Sequence, residues 1–195
     1  MNAFMIRIIC CILVLLLTAC SSRPPIILLP VEKQQHQQQL SDLQQWQFKG
    51  RLAYSDKKQK HSASVLWQQQ QDDFLLSLHS FIGTQILALQ QTADGATLDI
   101  GDEIHRAANA TRLLYQLTQW HVPVNDLSNW LKGKKNPHDD VTYSSSGWIS
   151  TLKHRQWHVE YNQYKPVDNY LLPHEIVIKG QGRTIKLRIN QWTLN

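Results

Sequence analysis

From residue 46 onward, apolar and polar residues alternate with a period of two in one short run after another, the pattern of strands with one buried face. Trp46, Phe48, Leu52 and Tyr54 alternate with Gln47, Lys49 and Arg51. Gly50 interrupts that run where a bend or bulge would fit. After a polar turn at 56–60, Ala63, Val65 and Trp67 alternate with Ser62, Ser64 and Gln68. Phe74, Leu76 and Leu78 form a third run, and residues 84–91 a fourth with Leu87 and Leu89 on one face. Residues 96–100 and 103–107 read as a hairpin around Gly101-Asp102.

The alternation breaks after residue 108. Asn109 suits a helix cap, and Leu113, Leu114, Leu117 and Trp120 follow at helical spacing. His121-Val122-Pro123 ends that helix, and Asn125 opens another with Leu127, Trp130 and Leu131 inward and Gly133 as its stop. Strands then resume at 148–153, 157–164, 175–179 and 183–194, the last two flanking the turn Gly180-Gln181-Gly182. The prediction is a mainly β chain of about 10 or 11 short antiparallel strands with a helical insertion. Strands in that number close or nearly close to bury a shared apolar face, and two short helices can cover one mouth of a half-barrel. At least four of the seven tryptophans fall on inward faces, where they either fill a core or line a cavity.

The N-terminus has another character. Arg7 precedes an apolar run at 8–17, too short for the ~20 residues that span a bilayer but suited to a secretory signal. The run ends in Leu17-Thr18-Ala19-Cys20, which resembles the lipobox of bacterial lipoproteins. That resemblance implies removal of residues 1–19 and acylation of Cys20, and several acyl chains anchor stably where one does not. Ser21 after the cysteine resembles lipoproteins sorted to the outer membrane. Cys10 and Cys11 leave with the leader, so no thiol remains for a disulfide. Residues 20–35 read as a lipidated tether: Pro24, Pro25 and Pro30 exclude a helix, and the apolar patch at 26–29 either lies on the bilayer or docks on the domain. Glutamine-rich 34–45 reads as a short helix or a low-complexity stretch, and 36–195 as a single domain.

Without Arg7, 19 basic residues face 15 acidic ones, a net charge of +4. The charges are scattered. The one tight cluster, Lys132, Lys134 and Lys135, reads first as a solvated loop and second as a contact for anionic headgroups. Nucleic acid is not an expected partner of an exported, tethered chain. No sequence motif supports catalysis, a metal or a cofactor. The nine histidines lack His-Glu-x-x-His spacing, and His154 and His158 read as surface residues. No Gly-x-Ser-x-Gly elbow occurs, and the pairs Asp72-Asp73 and Asp139-Asp140 read as solvated loops.

Four stretches together resemble the LolB family of outer-membrane lipoprotein receptors. They are Gly50-Arg51-Leu52-Ala53-Tyr54 with residues 63–67; Phe81-Ile82-Gly83-Thr84; Pro123-Val124, Leu127, Trp130 and Gly133; and Arg183-Thr184-Ile185-Lys186-Leu187 with Trp192. The resemblance implies an unclosed antiparallel barrel, a short-helix lid and an apolar cavity for acyl chains. The lining expected from the strand faces is Phe48, Leu52, Val65 and Trp67, then Leu76, Leu78, Leu87 and Leu89. Trp148, Trp157, Ile176, Ile178 and Leu187 complete it from the C-terminal strands. The expected lid is Leu113, Leu114, Leu117, Trp120, Leu127 and Trp130.

The resemblance also implies a monomer anchored on the periplasmic face of the outer membrane. Its partners would be acylated lipoproteins and a periplasmic, LolA-like carrier, and a protruding loop, Phe81-Ile82-Gly83, would deliver cargo. The family usually has Pro and Leu where this chain has Phe81 and Ile82, a change that stays apolar. Turns normally expose Gly, Asn or Asp, so an aromatic-aliphatic pair there either meets the bilayer or folds back on the body. Each acyl methylene taken from water is worth ~0.8 kcal/mol, so chains in transit must be kept dry. No Gly-rich phosphate-binding motif is present, so transfer is expected to run down an affinity gradient without nucleotide. Two other classes fit parts of the pattern: a lipid-anchored, lipocalin-like binder of small ligands, and a structural lipoprotein of outer-membrane assembly.

Overall fold

In a computed structural model, residue 30, residues 32–118 and residues 121–195 are described. Cys20, the patch at 26–29 and Trp120 lie outside them. The alternating runs become β1 (Gln45–Ser55), β2 (Lys60–Gln70), β3 (Asp73–His79), β4 (Gln85–Thr92), β5 (Gly95–Ile100) and β6 (Glu103–Ala107). The C-terminal set is β7 (Asp140–Tyr143), β8 (Ile149–His154), β9 (Trp157–Val167), β10 (Tyr170–Gly180) and β11 (Arg183–Leu194). The helices among the described residues are α1 (Lys33–Asp42), α2 (Ala110–Thr118) and α3 (Val124–Lys132).

All eleven strands form one antiparallel sheet in the order β6-β5-β4-β3-β2-β1-β11-β10-β9-β8-β7. The two edges, β6 and β7, are not paired to each other, so the barrel is unclosed. The insertion that joins these edges in sequence is the pair α2 and α3. Asn109 caps α2, its Oδ1 accepting from Arg112 N at 2.8 Å. Gly133 ends α3 in the left-handed conformation (φ 77°).

Gly50 marks the bulge anticipated from the sequence: the β1–β11 register shifts between Lys49 and Gly50. A Cβ at Gly50 would collide with the carbonyl oxygen of Arg188, so the close approach of the two strands requires glycine.

The glutamine-rich segment is the short helix expected rather than a low-complexity stretch, and it is held by tertiary contacts: Leu40 is fully buried, and buried His36 shares a hydrogen bond of 3.0 Å with Leu171 O. Two readings need correction. β10 is longer than 175–179 because Pro173 hides the alternation. That proline pairs with Tyr164 on β9, beyond the point where β11 leaves β10. β7 escaped notice because it is only four residues long and polar at its start.

Candidate functional site

Directly paired residues of an antiparallel sheet share a face, so the register defines the concave surface row by row. One row runs Leu98, Leu89, Leu76, Trp67, Phe48, Trp192. The next runs Ile100, Leu87, Leu78, Val65, Gly50, Ile189. Nearer the rim, Leu52 pairs with Leu187 and Leu187 with Ile176, while Tyr54 pairs with Ile185 and Ile185 with Ile178. The expected lining residues therefore share the inner face, with one exception of placement. Trp148 precedes β8, half-buried, its ring 5.5 Å from that of Tyr164.

Burial along this face is graded. At the end where β1 begins, Trp46, Phe48, Trp67, Phe74 and Trp192 form a closed aromatic cluster with ring centroids 4.8–6.4 Å apart. On the β8–β11 limb Trp157, Ile176, Ile178 and Leu187 are buried. Toward the other end of β1–β5, Leu52, Leu76, Leu78 and Leu87 are only half-buried, as is Ile185 on the adjoining β11, and Ile100 is 42% exposed. Inward-facing aliphatic side chains left partly uncovered on one rim are what the physics must explain.

The β3–β4 turn stands on that same rim. Ser80 N donates to Thr84 O at 2.8 Å and Gly83 N to Ser80 O at 3.0 Å, with Gly83 at φ 88°. This compact turn projects Phe81 and Ile82 into solvent, 91% and 84% exposed. It does not fold back onto the body.

A buried polar network fastens α3 over the inner face. On α3, Trp130 is fully buried and its Nε1 donates to Asp139 Oδ2 at 3.0 Å. The same carboxylate accepts from Asn136 N at 2.8 Å and from His154 Nδ1 at 2.7 Å. Asp126, on α3, lies 3.9 Å from the other nitrogen of His154, and burial raises the pKa of its carboxyl. Lys132 Nζ donates to Leu40 O at 2.9 Å and Leu43 O at 2.7 Å, and burial lowers its pKa to about 8. Asp139 is thus an acceptor in a buried network, His154 is its partner, and Lys132 is buried. The readings of Asp139 as solvated, of His154 as a surface histidine and of Lys132 as solvated or lipid-facing are corrected, while Asp140 is exposed as expected. Their partners come from α1, α3 and β8, far apart in sequence, so no local pattern could reveal them.

On α2 only Leu113 of the expected lid residues is buried. Leu114 is half-buried and Leu117 is 42% exposed. Leu127, on α3, is half-buried. α2 is held by Ala110 N donating to Gln91 Oε1 at 2.8 Å and by Val124 N donating to Thr111 Oγ1 at 3.3 Å.

Two clefts of about 380 and 600 Å³ open at the opposite end, around Gln69, Gln70, Asp73 and Gln91, and their walls are largely polar. Neither is the apolar cavity expected over the inner face. Among the described residues, no group of three or more His, Cys, Asp or Glu is placed to hold a metal ion.

An unclosed antiparallel half-barrel with helices over its inner face is the LolA-like class of fold. A LolA superfamily protein from Nitrosomonas europaea superposes with a TM-score of 0.55 at 10% identity, covering 85% of this chain and 94% of that one. A DUF1329 family protein from Desulfovibrio piger gives 0.55 at 5% identity, covering 82% and 89%. Sequence narrows the class. The family described as "Outer membrane lipoprotein LolB" matches residues 44–192. The outer-membrane lipoprotein LolB of Aeromonas salmonicida is 40% identical over 156 residues, 80% of each chain. That of Tolumonas auensis is 35% identical over 160 residues, 80% of this chain and 81% of its own. The chain belongs to the LolB family of outer-membrane lipoproteins.

Proposed function

We propose that this protein receives acylated lipoproteins from a periplasmic, LolA-like carrier and delivers them into the inner leaflet of the outer membrane. Lipidation at Cys20 would hold it there. The observation that carries the reading is that the incompletely covered apolar surface and the exposed Phe81-Ile82 turn share one rim. Acyl chains would enter over Leu52, Leu78 and Leu87, with Leu76 and Leu89 deeper, while the aromatic cluster closes the far end. Leu89, deeper on the face, is buried, so a chain that reaches it must displace a covering element. α2 is suited to that role because it carries Tyr115 and Leu117 exposed to solvent, whereas α3 is pinned by Trp130, Asp139 and Lys132.

The step needs no nucleotide. A chain dried by the inner face gains ~0.8 kcal/mol per methylene, but the bilayer offers at least as much. Cargo therefore moves onward if the protein holds it less tightly than the membrane does. The test is a purified carrier loaded with a radiolabelled, triacylated lipoprotein and mixed with this protein in the absence of nucleotide. Label should pass to this protein. Label remaining on the carrier, with the domain folded, would reject the receptor reading in favour of a small-ligand binder or a scaffold.

A further inference from the structure

The convex side of the sheet carries a feature that the inner face does not explain. Register places Arg51 of β1 directly opposite Arg188 of β11, and both are exposed. Like charges directly opposite each other on a sheet are destabilising. The neighbouring outward positions add Lys186, paired with Ala53, and Lys60, paired with Ser55. Lys49 stands across the bulge from Gln191. Around them the floor is small: Ser55, Ala53, Ser62, Ser64 and Thr184. Glu175, paired with Arg188 and 3.7 Å from its Nε, is the carboxylate that faces the array; Lys179, at its corner, is bonded to Glu160 at 2.6 Å. Five exposed cations on one outward face, four of them among small side chains and Lys49 beside Leu66 and Gln191, suit an extended surface of phosphate groups better than a groove-shaped ligand.

The two ends of the molecule say which surface. The Phe81-Ile82 turn lies at one end of the sheet, and α1, which begins at Lys33, lies at the other. β1 alone is eleven residues long, about 35 Å. The chain between Cys20 and Glu32 reaches about 40 Å only if every residue is extended. An upright half-barrel with its turn in the bilayer would need that tether pulled taut. A half-barrel lying on its side would not.

On the reading that Cys20 is the anchor and the turn meets the same bilayer, we infer that Lys49, Arg51, Lys60, Lys186 and Arg188 bind the phosphates of anionic phospholipid headgroups. The convex face of β11, β1 and β2 rests on the membrane. The half-barrel mouth then opens along the surface, where a carrier can approach, with its apolar turn dipping into the lipid.

The test uses the mature, lipidated protein in vesicles. Its remaining cysteine is acylated, so Ser62→Cys on the floor of the array takes a single fluorophore. Quenching by a headgroup nitroxide lipid is read in phosphatidylcholine vesicles with and without phosphatidylglycerol. The expected result is quenching that requires phosphatidylglycerol, is lost in about 0.5 M salt, and is lost in Arg51→Glu/Arg188→Glu. Absent quenching in anionic vesicles, or equal quenching in neutral ones, would overturn the inference. So would quenching unchanged by the double substitution while cargo acceptance from the carrier is lost, which would assign the strip to the carrier. The readout involves no cargo, so wild-type transfer, measured in parallel, shows separately whether the receptor reading itself fails.

Discussion

Ile82 and Lys132 show how little a residue's type says about its place. Ile82 is apolar and 84% exposed; Lys132 is charged and 4% exposed. The exposure of Ile82 has no stabilising role in the isolated domain, so Ile82→Glu is expected to fold and melt as the parent does. It should accept cargo and fail to deliver it to vesicles, which a two-step transfer assay resolves; delivery at the parental rate would remove the turn from the mechanism. Lys132 acts oppositely. Its ammonium satisfies carbonyls at the C-terminal end of α1, where a helix leaves acceptors unpaired and favours a cation. Lys132→Ala leaves both carbonyls without that donor and is expected to cost about 2–3 kcal/mol, read by chemical denaturation.

Elements in this protein end where backbone geometry requires it. Gly133 closes α3 at positive φ, and a Cβ there would strike the hydroxyl of Tyr164. Gly133→Ala is expected to cost at least about 2 kcal/mol, through both the left-handed backbone and the collision, and to lower the melting temperature correspondingly. Such features explain what was legible. The strands of β1–β6 and the cap at Asn109 could be read because period and capping are local signals. The inward set Phe48, Trp67, Leu76, Leu89 could be read because alternation alone fixes a face. The length of β10 could not, since Pro173 breaks the pattern, and its tolerance depends on β11 having already diverged. The pinning of α3 was invisible because Asp139, His154 and Lys132 find their partners only once the sheet and α1 are in place.

The whole molecule couples its closed end to pH. Burial lowers the pKa of His36 and of His174 below the ordinary 6.5. Below about pH 6.5 the unfolded chain therefore binds more protons than the folded one. The stability these residues contribute is present above that pH and falls as pH drops through it. Denaturation midpoints should decline between pH 7.5 and 5, and His36→Gln/His174→Gln should flatten the decline; an unchanged slope would locate the titration elsewhere. In the proposed function, acyl chains occupy the half-covered rim of the inner face. The direct measurement loads the protein with a lipoprotein whose acyl chain carries a photoactivatable diazirine and maps the cross-links by mass spectrometry. Adducts are expected on Leu52, Leu78 and Leu87, with deeper ones on Leu76 and Leu89. Adducts confined to the polar clefts near Gln69 and Gln91, or to the outer surface, would contradict that placement.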